Sequence, residues 1–208
     1  MKDIIKFRMA CRKDAPELAR LHFSSSMKQP GSFMHLLGVK FLQAYYEILL
    51  DEGSSTILCA HITNQRLVGF AAGSIQAESR IKALNGHRVK LFFSCARFLI
   101  SNPRLIAELR ARQNNGSPEE NQGFVISSGP HVEYWAWETD AGGGGGAITL
   151  LKKWLSVMRL MGITKVRGEV DDLNPLVLKI HQLLGAHVVS RFHTPNGRLR
   201  HVIEYNFK

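Results

Sequence analysis

Five consecutive glycines, Gly142–Gly146, closed by Ala147, separate an aromatic run (Tyr134, Trp135, Ala136, Trp137) from an apolar-periodic one (Leu150, Leu151, Trp154, Leu155, Met158). A strand, a glycine turn and a helix N-terminus in that order gather backbone N–H groups and a positive dipole end at one point. That arrangement binds phosphate, and glycine suits it because it lets a ligand touch the backbone. A Walker loop needs Gly-Lys followed by Ser or Thr, and Ala147-Ile148-Thr149 supplies no lysine. A dinucleotide fingerprint matches formally at Gly142-x-Gly144-x-x-Ala147, with Glu169 where a ribose-binding acid belongs. Five glycines satisfy almost any glycine pattern, however, and only about 60 residues follow, too few for a dinucleotide sheet. NAD binding therefore stands as a minor alternative.

The elements that position this turn belong to a chain of 208 residues, long enough for one domain with its own core. The reading is a single domain over 1–208. Lys and Arg number 27 against 17 Asp and Glu, a formal charge of +10 that favours an anionic partner. Nothing resembles an RNA- or DNA-recognition motif, so no nucleic-acid partner is expected. Three cysteines without paired spacing indicate neither a disulfide framework nor a cysteine zinc site, and no metal is expected. Met1–Lys6 lacks the apolar core of a signal peptide, and no stretch reaches the roughly 18 apolar residues of a membrane span. A cytoplasmic location is the expectation.

Ile4 to Met9 reads as a strand, and Asp14-Ala15-Pro16-Glu17 has a capping-box layout opening a helix through Arg20 or beyond. Leu37, Phe41, Tyr45 and Ile48 recur at helical spacing and predict a helix over Met34–Leu50, with Gly53 to end it. The polar loop between, Ser24 to Gly31, is a candidate substrate wall. Thr56–His61 and Leu67–Ile75 read as a strand pair. Ile81–Arg112 is basic and carries Leu91-Phe92-Phe93 and Phe98-Leu99-Ile100; it predicts two helices broken near Asn102-Pro103, a helical insertion at about 81–113 within a segment of about 78–122. Three roles are open for it: a packed insertion with a solvated basic face, a cap whose arginines bind an anionic substrate, or a membrane-surface or partner helix. A polar loop from Asn114 to Gly123 ends it. Then follow a strand (Val125 to about Glu138), the glycine turn, a helix (Gly145–Met161) and a strand (Ile163–Val170). A helix over Pro175–Leu184 is capped by Asn174 and stopped by Gly185, and strands His187–Phe192 and Leu199–Phe207 join through an Asn-Gly turn.

From Tyr134 to Phe192 this order resembles the GNAT acyltransferases, which use acetyl-coenzyme A. In that family the pyrophosphate of coenzyme A sits on an Arg/Gln-x-x-Gly-x-Gly/Ala turn, and Gly142-x-x-Gly145-x-Ala147 falls in register, followed by Leu150-Leu151. Val170-Asp171-Asp172-Leu173-Asn174-Pro175 and Lys179 to Ala186 resemble the second signature, where Asn precedes a short helix that carries a Tyr and ends at Gly-Phe. The resemblance implies an α/β acyl-CoA N-acyltransferase fold with a mixed, mostly antiparallel sheet flanked by helices. Its cosubstrate is acetyl-CoA, held by Gly142, Gly143, Gly144, Gly145, Gly146 and Ala147, by the backbone around Trp137, Glu138 and Thr139, and by Asn174, which could equally be a helix cap alone. Two departures stand out: the usual Arg/Gln is Gly142, and the usual Tyr that protonates the leaving thiolate is His181, with Ala186 for Phe.

Acyl transfer to an amine needs a neutral amine, a polarised carbonyl, alignment and a proton for the thiolate. Period-two alternation puts His131, Glu133, Trp135 and Trp137 on one face of their strand. Glu133 or His131 could take the amine proton and His181 could supply one; Trp135 and Trp137 read as packing or cleft walls. The expected activity is acetylation of a primary amine of a small molecule by a bacterial-type enzyme. The acceptor would be an amino sugar or a nucleotide-linked sugar, attacked directly in a ternary complex. Protein N-terminal or lysine acetylation, and a catalytically silent CoA-binding domain, are the alternatives; a homodimer is left open.

Overall fold

The structure is a computed structural model that describes residues 4–29, 34–62, 65–101, 128–138, 144–194 and 197–207. Seven strands form one sheet in the order β1-β2-β3-β4-β5-β7-β6. They are β1 (Lys6–Met9), β2 (Ser55–His61), β3 (Leu67–Ser74), β4 (His131–Trp137), β5 (Lys165–Asp171), β6 (His187–His193) and β7 (Leu199–Asn206). Every adjacent pair is antiparallel except β4 and β5. The described helices are α1 (Ala15–Ser26), α2 (Val39–Glu52), α3 (Ala77–Gly86), α4 (Arg88–Ser101), α5 (Gly144–Leu160) and α6 (Pro175–Leu183).

Helices cover both faces, which is why β3 is buried along its whole length and β2 at all but its first residue. On one face α5 lays Leu150, Leu151, Trp154, Leu155 and Met158, a helical stripe, against Leu58, Ala60, Val68, Ala71 and Val132. The Trp154 indole N–H donates to the Thr56 carbonyl at 2.9 Å, so its polar atom is satisfied inside the core. On the other face α1 and α2 set Leu18, Ala19, Leu42, Tyr46 and Leu49 against Ile57, Cys59, Phe70 and Ala72.

Several local expectations shift. The helix expected from Met34 is a 3₁₀ turn (Met34–Leu37), a glycine break, then α2, because Gly38 sits at φ +84° beneath the Phe98 ring of α4. A Cβ there would lie 2.4 Å from that ring. Gly53 ends α2 in the left-handed conformation, as expected. Asp14 precedes α1 but makes no cap bond to it. Its carboxylate instead accepts the Cys11 N–H at 2.8 Å and a two-pronged pair from Arg8 at 2.7 Å, a stronger set of partners for a buried charge. Asn174 likewise makes no side-chain cap bond. The insertion breaks earlier than expected, at Gly86-His87; the break at Asn102-Pro103 and the loop Asn114–Gly123 lie outside the described residues. The described strands do not build a dinucleotide sheet: their one parallel pair cannot form a doubly wound half.

Gly73 sits where β3 passes His131 and Trp154; a Cβ would lie 2.3 Å from the His131 carbonyl and 2.4 Å from the indole. Gly53 has nothing within 4 Å but a φ of +85°. Chemical denaturation should therefore show Gly53→Ala losing about 1 kcal/mol, from backbone strain alone. Gly73→Ala should lose roughly 2–3 kcal/mol, from overpacking; equal losses would contradict this packing.

Candidate active site

β4 carries the decisive irregularity. Ala72 pairs with Tyr134 and Gly73 with Val132, leaving Glu133 as an extra residue. This bulge flips the side-chain phase halfway along the strand. His131 and Glu133 therefore face α1–α3, whereas Trp135 and Trp137 face α5 and α6; the single shared face expected from alternation is not formed.

The second irregularity is the parallel pairing of β4 with β5, confined to His131–Arg167 and Val132–Gly168. Beyond these, β5 continues to Asp171 on β7 and β4 continues to Trp137 on β3, so the two strands part. The Glu138 N–H donates to the Val68 carbonyl at 2.8 Å, toward β3. By alternation the N–H and C=O groups of Trp135 and Trp137 point the other way, into the gap. A linear chain with amide groups could dock there as a strand would.

At the mouth of the gap stands the first turn of α5, where N–H groups have no intrahelical acceptor. Trp137 packs on it and explains one glycine: a Cβ on Gly146 would lie 2.2 Å from the indole. Gly145 is different. A Cβ there would meet nothing within 4 Å, and its φ is not in the left-handed region. Neither packing nor backbone strain calls for glycine at 145, and glycine in a helix costs about 1 kcal/mol against alanine. It leaves the first turn of α5 open on that side. Ala147 is buried behind this turn. Gly144 opens the helix, whereas Thr139, Gly142 and Gly143 lie outside the described residues. Asn174 is half-buried at the end of the β5–α6 turn, its N–H donating to the Asp171 carbonyl at 2.9 Å.

On the opposite face Glu133 is 10 % exposed and surrounded by donors. Tyr45 Oη donates to Oε2 at 2.9 Å, while Arg80 Nε and His131 Nε2 lie 2.9 and 3.1 Å from Oε1, ion-pair distances without hydrogen-bond alignment. Burial pushes the carboxyl upward, but Arg80, His131 and Tyr45 outweigh it and hold it below the ordinary range. The carboxylate is therefore ionised at neutral pH. Beside it, His22 stacks on Tyr134 with ring centroids 3.8 Å apart and bonds Tyr46 Oη through Nδ1 at 2.7 Å; Ser25 Oγ meets Tyr134 Oη at 2.8 Å. The His22 Nε2 is buried without a partner, and burial takes its pKa down to about 3. Between α1 and the β2–β3 hairpin a cleft of about 290 Å³ is lined by Glu17, Arg20, Ser24, Arg66 and Glu138, with Arg66 and Glu138 paired at 3.2 Å. Glu138 spends its side chain on Arg66 and its N–H on β3.

His181, the candidate acid, lies on the α6 side of the sheet. It is 3 % exposed, its Nδ1 is 2.6 Å from Tyr205 Oη, and Trp135 Nε1 donates to its Nε2 across a long 3.4 Å. Burial lowers its pKa to about 4. With both ring nitrogens engaged, His181 ties β4, α6 and β7 together. Tyr45, Arg80, His22, Tyr134 and Tyr205 were absent from the residue set read from sequence; their partners lie 24 to 109 residues away and leave no local pattern. Glu169, the acid of the dinucleotide alternative, is paired with Arg200 at 2.9 Å.

No protein-family model matches this chain, and no curated protein does. Solved structures match over nearly the whole length. A GNAT-family acetyltransferase from Streptococcus pneumoniae superposes with TM-score 0.58 at 11 % identity, covering 99 % of this chain and 100 % of its own. A ribosomal-protein-alanine N-acetyltransferase from Brucella melitensis gives 0.57 at 12 %, covering 97 % and 99 %. A Salmonella typhimurium protein provisionally assigned as an acetyltransferase and solved with its cofactor acetyl-CoA gives 0.58 at 11 %, covering 99 % and 95 %. The fold of this chain is the GNAT acyltransferase fold.

His181 yields a pH prediction. Its folded pKa lies below its ordinary 6.5, so the folded state binds fewer protons and the stabilisation is complete above pH 6.5. It is lost as pH falls toward about 4. Thermal unfolding should show a midpoint that drops across this window and drops less steeply in His181→Gln; an identical slope in both would refute the assignment.

Proposed function

We propose that this chain is an N-acetyltransferase that moves the acetyl group of acetyl-CoA to a primary amine of a small molecule, an amino sugar or a nucleotide-linked sugar, by direct attack in a ternary complex. The observation that carries the reading is the parting of β4 from β5 beside an open helix N-terminus, on the GNAT fold. Gly144 to Ala147 receive the pyrophosphate on backbone donors, and the edge groups of Trp135 and Trp137 receive the pantetheine amides. The cosubstrate supplies an activated acyl group with a good leaving thiolate.

The side chains of this protein do the rest. The sheet separates two compartments, the cosubstrate on the α5–α6 face and the acceptor on the α1–α3 face, and the bulge at Glu133 joins them. Glu133 stays ionised beside Arg80 and takes the amine proton, directly or through water, with His131 sharing the same carboxylate oxygen. The amine nitrogen then bonds the carbonyl carbon, the carbon–sulfur bond breaks, and the proton that the nitrogen sheds passes through water to the thiolate. Arg80 and the basic surface suit an anionic group on the acceptor, such as a nucleotide phosphate. The engaged, neutral His181 favours one second reading, a domain that binds coenzyme A without turnover.

Titration calorimetry with acetyl-CoA, with NADH in parallel, checks the cosubstrate: micromolar binding of the thioester alone is expected, and silence overturns the reading. Gly145→Asp should abolish binding while leaving the fold intact, because it sets bulk and like charge before the helix N-terminus. Steady-state turnover on amino sugars, nucleotide sugars and peptides identifies the acceptor. Glu133→Gln should lower kcat about 100-fold or more with acetyl-CoA affinity unchanged; undiminished kcat removes Glu133 from the chemistry.

A further inference from the structure

α4 is apolar on two sides, and among the described residues only one of them has a partner. Leu91 packs on the α1–α2 core, and Cys95 and Leu99 pack on Leu37. That inner seam seats the helix on the domain. On the outer side, Val89, Phe92, Phe93, Ala96 and Ile100 recur at spacings of one helical turn and share a face. Val89 is 63 % exposed, Phe92 57 %, Phe93 72 % and Ile100 82 %. Off α4, every described phenylalanine is buried or half-buried.

The charge on α4 itself has one sign. α4 contains Arg88, Lys90 and Arg97 and no acidic residue; Lys90 and Arg97, two turns apart, border the same edge of the stripe. α3 adds Lys82 and the site residue Arg80 against one acid, Glu78, whose carboxylate accepts the Gly129 N–H at 3.0 Å. Lys90 is 2.8 Å from Glu47 of α2, so its charge is partly answered from within. A second copy of this face would bring basic edge against basic edge with no acid on α4 to answer them. An anionic bilayer offers what both features need, an acyl boundary for phenylalanine and isoleucine and phosphate headgroups for the flanking cations.

We infer that the outer face of α4 docks this protein on an anionic lipid surface, with Val89, Phe92, Phe93 and Ile100 at the headgroup–acyl boundary. α3 joins that face to the acceptor side through Arg80, 2.9 Å from Glu133, so docking brings the acceptor compartment toward the membrane. The inference stands apart from acyl transfer, because lipid binding is measured without turnover.

The test is flotation of the full chain with phosphatidylcholine vesicles, alone or with about one-third phosphatidylglycerol. Wild type should float with the anionic vesicles and not with the neutral ones, and salt of about 0.5 M should release most of it. Phe92→Ser combined with Phe93→Ser, and separately Arg88→Glu, should each weaken binding about tenfold or more with unchanged circular dichroism and unfolding midpoint. Wild type that stays unbound, or phenylalanine variants that float like wild type, overturn the inference. A dimer in sedimentation velocity that Phe93→Ser dissolves, without vesicle binding, overturns it in favour of a second copy.

Discussion

β4 must satisfy β3 on one edge and β5 on the other, and it does both only as far as Val132. One inserted residue, Glu133, ends that agreement: the ladder to β3 slips by one, the strand twists, and β5 no longer follows. Everything distinctive about the site descends from this. The slip sends Glu133 and His131 to one face and Trp135 and Trp137 to the other, and the parting exposes a ladder edge that β5 leaves unpaired. A single local irregularity thus sets a charged cluster on one face of the sheet and an unpaired strand edge beside the α5 N-terminus on the other.

Small residues make the arrangement possible. Trp137 lies between Gly69 and Gly146, and Trp154 beside Gly73, each at distances that a Cβ would violate. These glycines record where large aromatic rings wedge α5 against the sheet, and they fix the α5 N-terminus at the mouth of the gap. The ion-pair cluster works differently. Glu133 is bound from three elements, by Tyr45 of α2, Arg80 of α3 and His131 of β4, so the helical insertion takes part in setting the charge of the candidate base. A buried carboxylate is tolerable only with such partners.

The order of strands and helices was legible in the sequence because α5 and α6 repeat apolar residues at helical spacing and the strands alternate or run apolar between turns. The fold that this order implied was legible for the same reason. The division of labour within the turn was not. Gly145 and Gly146 look alike in sequence, yet one faces space and the other an indole. Alternation misassigned β4 because a bulge has no signature beyond the partner strand's register. The capping roles read for Asp14 and Asn174 failed because tertiary partners, Arg8 above all, decided where the Asp14 carboxylate points. His181 looked like a substitute acid in one dimension, and in three its Nδ1 lies against a tyrosine hydroxyl.

On the reading proposed above, the unpaired edge of β4 and the first turn of α5 together hold the cosubstrate. Amide hydrogen exchange with and without coenzyme A tests it residue by residue. Slowed exchange is expected at the amides of Trp135 and Trp137 and at Gly145 and Gly146, with β1 and β2 unchanged. Protection confined to other elements, or none at saturating coenzyme A, would contradict it.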